Sequence, residues 1–134
     1  MSFSCGSYEV RGRTVHVVYR GFVDSHFVSL TCGSRHGAVA VASVDIKEFL
    51  AANDDIDRAA AVESTFLLGK RDLPTETVVT RKLACALATI GDARPLTVSV
   101  DLPDLSDCEH TERRDFVTGA VAVALEVMAQ PKSP

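Results

Sequence analysis

A chain of 134 residues with 46% hydrophobic and 24% charged content holds one domain with room for a single core. The net charge of −4 and pI near 5.5 argue against sequence-independent nucleic-acid binding, which needs a dense field of Lys and Arg. No run approaches the roughly 20 apolar residues that span a bilayer, and the N-terminus lacks a signal peptide's basic and apolar regions, which points to cytosol or nucleus.

In chain order, residues 1–6 read as a frayed start and Ser7–Val10 as a short extended segment before an Arg11-Gly12-Arg13 turn. Thr14–Phe22 is the strongest early strand: Val15, Val17 and Tyr19 face one way, His16, Val18 and Arg20 the other. Gly21–Ser25 breaks it. His26–Cys32 alternates again, Gly33 and Gly37 accept positive φ in a turn, and Ala38–Val44 returns antiparallel. These strands form a meander. Asp45, with Glu48 three residues on, caps a short helix anchored by Ile46, Phe49 and Leu50. Asn53–Asp57 has little to bury, so residues 45–61 read as an acidic, partly mobile excursion.

Val62–Leu102 is the stretch around which the chain is organised. An apolar strand stops at Gly69, and Lys70-Arg71-Asp72 connects it to Pro74. Val79, Leu83, Ala86, Leu87 and Ile90 then share one helix face, with Gly91 as the left-handed cap. After the turn Asp92–Pro95, the residues Leu96, Val98, Val100 and Leu102 alternate as in a half-buried strand. Pro103–Asp107 is a loop, and Ser106 with Glu109 forms a capping box for a last helix that ends near Ala129, followed by the tail 130–134.

That last helix is apolar on nearly all sides from Phe116 to Met128, and such a helix must be covered on nearly all sides. One sheet covers one face. Either the helix is sandwiched within the monomer, or Phe116, Ala120, Val121, Val123, Leu125 and Val127 meet a partner. Gly119 would let another backbone approach closely.

Signatures of chemistry are sparse. The Gly33–Gly37 turn lacks the Lys-Ser/Thr of a phosphate loop, and no GxSxG occurs. Cys32-x3-His36 and Cys108-x-His110 lack the partner pairs of a zinc site, so neither metal nor cofactor is expected. Cys5, Cys32, Cys85 and Cys108 read as free thiols. A nucleophile pair of Cys32 with His26 or His36 is set against the ordinary fate of a strand-end cysteine, burial. The Asp54–Asp57 run fits no EF-hand. Arg35 and His36, Lys70 and Arg71, and Asp54, Asp55 and Asp57 remain as exposed loop charges, and contacts with partners concentrate on loops. The residues thus describe an α+β domain without an enzyme signature: an antiparallel, meander- or sandwich-like sheet with a central helix and a C-terminal helix packed on it.

The order of pieces resembles the proteasome assembly chaperone 3 family over about Tyr8–Val127. The resemblance rests on Val10-x-Gly12-x-Thr14-x-His16-Val17-Val18, on Phe22, on Cys32-Gly33 and on Leu67-Leu68-Gly69 before an acid-and-proline connector. Lys82-Leu83-Ala84 in the helix, the strand after Arg94 and the C-terminal helix complete it. It implies a non-enzymatic chaperone that pairs with itself or with a chaperone like proteasome assembly chaperone 4. It implies binding to alpha-type subunits of the 20S proteasome, with the segment 45–61 touching the ring. That segment is longer and more acidic than the family pattern. An acidic loop can speed encounter with a basic surface. Two other classes fit the same architecture: a dimeric interaction module of profilin or longin type, and a small thioesterase-like enzyme with Asp72 or Glu76 as its carboxylate.

Overall fold

Arg11 and Gly12 both adopt positive φ, 52° and 80°, in a two-residue turn whose twist matches that of the strands it joins. It links β1 (Ser2–Val10) to β2 (Arg13–Gly21), which pair antiparallel along their whole length. The computed structural model describes residues 2–32, 38–54, 58, 60–68, 74–92, 94–102 and 109–129. The frayed start is therefore corrected: all nine residues of β1 are held by the nine of β2. Polar composition and Gly6 hide this strand in the sequence. The Tyr8 ring lies over Gly6, where a Cβ would meet it at 2.6 Å.

The remaining elements are β3 (His26–Thr31), β4 (Ala38–Val44), α1 (Ile46–Ala51), β5 (Val62–Leu68), α2 (Pro74–Thr89), β6 (Leu96–Asp101) and α3 (His110–Met128). The fold is α+β. Its six-stranded sheet has the order β1-β2-β3-β6-β4-β5, so the meander holds only for the first three strands. Strand β6 inserts between β3, to which it is parallel, and β4, to which it is antiparallel. The sheet is mixed for this reason. β6 presents Leu96, Val98 and Val100, each at most 1% exposed, and a strand this apolar belongs in the middle. At the far edge, Val39 pairs with Leu68 but Ala40 with Phe66. Leu67 is the extra residue of a bulge, and it is 60% exposed.

One face of the sheet carries Val15, Val17 and Tyr19 from β2, Val28 and Leu30 from β3, and the β6 residues. Helices α2 and α3 close this face with Val79, Leu83, Ala84 and Leu87, and with Phe116, Val117, Ala120, Val121, Ala124 and Val127. In α2 the buried stripe is narrower than the predicted one, because Ile90 lies beyond the helix end and is 78% exposed. Gly91 takes positive φ, 88°, as the predicted cap. Asp45 caps α1 by accepting from the backbone N–H groups of Lys47 and Glu48. Of the predicted anchors, Phe49 is buried with Ala61 and Ala88, and Leu50 points outward. Helix α3 begins at His110, so Glu109 occupies the N-cap position and makes no side-chain cap; Ser106, the other half of the expected capping box, lies outside the described residues.

The wrapping of α3 answers the question its composition raised. Burial on its own sheet accounts for most of the apolar stripe, and small or polar residues (Thr118, Ala122 and Glu126) take the exposed side. Gly119 faces Val10 of β1, not a partner, and a Cβ there would stand 2.6 Å from Val10 Cγ1. Gly119→Ala gains about 1 kcal/mol of helix propensity and costs about 1–3 kcal/mol of overpacking. The expected outcome is a lower urea midpoint for Gly119→Ala, with recovery when Val10→Ala is added. A single variant as stable as the parent would show that β1 and α3 are not in close contact.

Candidate functional site

Two surfaces stand out. The first is the sheet face opposite the helices, which no described residue covers. Register places Cys5, Val18, Ser29, Ser99 and Val39 in one row across it, and Arg20, Phe27, Thr97, Val41 and Thr65 in the next. Val18, Phe27, Val39 and Val41 are half-buried, Ser29 and Ser99 are buried between them, and Arg20, Thr65 and Cys5 are exposed at the margins. The centre of this face is apolar and small-polar, and its margins carry the cation Arg20 with Thr65 and Cys5.

The second surface is a cleft of about 860 Å³ on the helix side of the sheet, at the end where α2 and α3 both finish. Its floor is a hydrogen-bonded chain. His26 faces inward from the first position of β3, in the same alternation as Val28 and Leu30, and its side chain is 1% exposed. Its Nε2 lies 2.9 Å from Asp92 Oδ2 and its Nδ1 2.8 Å from the Tyr19 hydroxyl. A carboxylate oxygen only accepts, so Nε2–H donates to Asp92; in the neutral ring Nδ1 then accepts from Tyr19. Arg94 grips the same carboxylate from the other side, Nε to Oδ1 at 3.0 Å and Nη2 to Oδ2 at 2.8 Å, and its Nη1 donates to the Phe22 carbonyl. The Arg94 backbone N–H adds a bond to Oδ1 at 3.2 Å.

Two segments distant in sequence are tied here: the β2–β3 hairpin, through Tyr19, Phe22 and His26, and the turn between α2 and β6. The Arg94 guanidinium, hydrogen-bonded to Asp92, holds that carboxyl far below the usual carboxylate range; partial burial opposes this, and the His26 hydrogen bond supports it. Among the described residues no buried side-chain polar atom lacks a partner. The network was not anticipated from sequence, where Asp92–Pro95 reads only as a turn. The available signal was a histidine in the apolar phase of a strand.

The predicted site residues fall into three groups. Phe116, Ala120, Val121 and Val127 are buried in the chain's own core, at most 9% exposed, where they pack α3 on the sheet. Val123 and Leu125 are half-buried and pack against that core. Asp54 is exposed. Arg35, His36, Asp55, Asp57, Lys70 and Arg71 lie outside the described residues, as do Asp72 and Cys108. Cys5 and Cys32 carry free thiols, and Cys85 is half-buried in α2. Cys32 follows the far end of β3 from His26, and burial pushes its thiol upward, so the two form no nucleophile pair. Glu76 is half-buried in the first turn of α2.

No protein-family model matches the chain, and no curated protein sequence matches it significantly. Among solved structures it is similar to a chain from the crystal structure of a chaperone complex for yeast 20S proteasome assembly. The TM-score is 0.56 with 13% identity, over 95% of this chain and 94% of that one. The fold is proteasome-assembly-chaperone-like. With identity this low, the likeness is one of architecture over the full length of both chains.

The Asp92 network makes a pH-dependent contribution whose sign is fixed. Asp92 is depressed in the folded state relative to its ordinary value of 3.8, so its stabilisation is present above that value and is lost as pH falls below it. Asp92→Asn is expected to be less stable than the parent at pH 7, with the gap in urea midpoint narrowing from about pH 5 downward. An equal gap at pH 7 and pH 3 would remove the carboxylate from the account.

Proposed function

We propose that this chain is a non-enzymatic chaperone for assembly of the 20S proteasome alpha ring. It acts as a homodimer, or as a heterodimer with a chaperone like proteasome assembly chaperone 4, and binds alpha-type subunits. The uncovered sheet face carries the dimer reading. Both long helices lie on one side of the sheet, no described residue covers the other side, and the centre of that side carries four half-buried apolar side chains. A face with an apolar centre and a more polar margin has the make-up of a protein interface. The family resemblance and the chaperone-like fold supply the identity of the partners.

In this proposal the strands supply the pairing surface, where the sequence reading had α3 supply it. The acidic segment around Asp54 keeps its proposed role of steering encounter with a basic surface on an alpha subunit.

The deciding experiment is native affinity capture of the tagged chain from its own cells, with mass spectrometry of what accompanies it. Alpha-type subunits without mature beta subunits are the expected result. A capture dominated by trafficking or cytoskeletal proteins would make the chain an interaction module of profilin or longin type. In sedimentation velocity, Val18→Glu and Val41→Lys are each expected to weaken dimerisation at least tenfold with circular dichroism unchanged. A parent that stays monomeric at high micromolar concentration, alone and with the sister chaperone, would overturn the sheet-face dimer. Replacing Asp54, Asp55 and Asp57 together by Asn should slow association with alpha subunits at low salt only.

A further inference from the structure

We infer that the cleft at the helix ends is a second protein-binding site, which takes a short apolar segment carrying Lys or Arg. It lies on the helix side of the sheet, away from the proposed dimer face. Four observations converge on it. Its lip is apolar and strongly exposed: Val23 is 93% exposed, Ile90 78% and Phe22 38%, and these are three of the six large hydrophobic side chains exposed among the described residues. A volume of about 860 Å³ exceeds what one side chain fills and suits a few residues of a peptide.

The third observation is electrostatic. The last turns of both α2 and α3 line the cleft, and neither turn carries a basic residue. Each helix end therefore contributes the negative pole of its dipole, about half a charge, without a cation in its last turn to offset it. The fourth is the floor. Arg94 is the one cation among the described lining residues, and Asp92 grips it in a two-pronged pair while the Phe22 carbonyl takes a third N–H. Its charge is spent internally. What remains at the mouth is a negative field above an apolar wall, complementary to a cationic group next to an apolar anchor. An acidic segment would be repelled, and a purely apolar one would leave the field unanswered.

The latch also fixes the geometry. Arg94 holds the turn that bears Phe22 and Val23, and Asp92 sits two residues from Ile90, so the two sides of the lip are joined through one carboxylate. The recognition surface is in this sense built before a ligand arrives, which lowers the ordering cost of binding.

The test is an NMR titration of the full ¹⁵N-labelled chain with three synthetic heptapeptides that share a Leu-Phe core, flanked by Lys and Arg, by Glu, or by Ser. The basic peptide is expected to shift the amides of Val23, Ile90 and Met128 and to bind at least tenfold more tightly than the acidic one, with the difference shrinking in high salt. Ile90→Lys and Val23→Lys, both at exposed positions, should each weaken the basic peptide at least tenfold with an otherwise unchanged spectrum. Equal affinity for the three peptides, shifts confined to the sheet face, or no shifts at millimolar peptide would each overturn the inference. So would concentration-dependent shifts of the cleft in the absence of peptide, which would make a second copy the occupant. None of these outcomes depends on proteasome subunits, so this site and the chaperone reading fail separately.

Discussion

The carboxylate of Asp92 is the point at which the two halves of the chain are fastened. It accepts from a buried histidine on β3 and from a guanidinium that also holds the turn after β2. Strands β3 and β6 are parallel neighbours, and no hairpin can join parallel neighbours. Their register has to be set by something other than a turn. The network lies at the start of both strands, where His26 pairs with Leu96, and His26 N–H donates to the Pro95 carbonyl at 2.8 Å. A one-residue slip would move His26 away from Asp92 and turn Val28 and Leu30 out of the core.

From that register follows the one-sidedness of the molecule. With β6 in the middle, the apolar phases of β2, β3, β4 and β6 all face the same way, and α2 and α3 lie side by side over them. Gly119 lets α3 come down onto Val10, which brings β1 under the same roof. Both long helices are then used on one side. The other side is left to Val18, Phe27, Val39 and Val41, and the end of the sheet is left to the cleft.

Much of this was legible in the residues. The alternations in Thr14–Phe22 and Leu96–Leu102 gave both strands and their inward faces, and Gly91 marked the end of α2. Strand order was not legible, because alternation reports which face a residue occupies and is silent on which strand lies alongside. The apolar excess of α3 was visible, but its explanation was not: composition cannot separate a helix buried by its own sheet from one buried by a partner, and the small residues Ala120 and Ala124 let it sink deeply into its own. The cleft escaped for a related reason. His26 in the apolar phase of β3 was the one signal, and its partners were hidden: the parallel pairing of β3 with β6 is what brings Asp92 and Arg94 to the Tyr19–His26 pair.

The parallel pair also shapes how the chain comes together. Strands β1 to β3 are consecutive hairpins and can form as soon as they are made. The neighbour that completes β3 is the last strand of the sheet, made only after β4, α1, β5 and α2. Until it arrives, β3 has an unpaired edge carrying Val28 and Leu30, and β4 has one beside Ala40 and Ala42. Distant pairings of this kind are slow to close, and open edges invite foreign strands while they wait. The last strand synthesised is the one in the middle, so the folding chain spends its most vulnerable interval as two half-sheets with a gap between them.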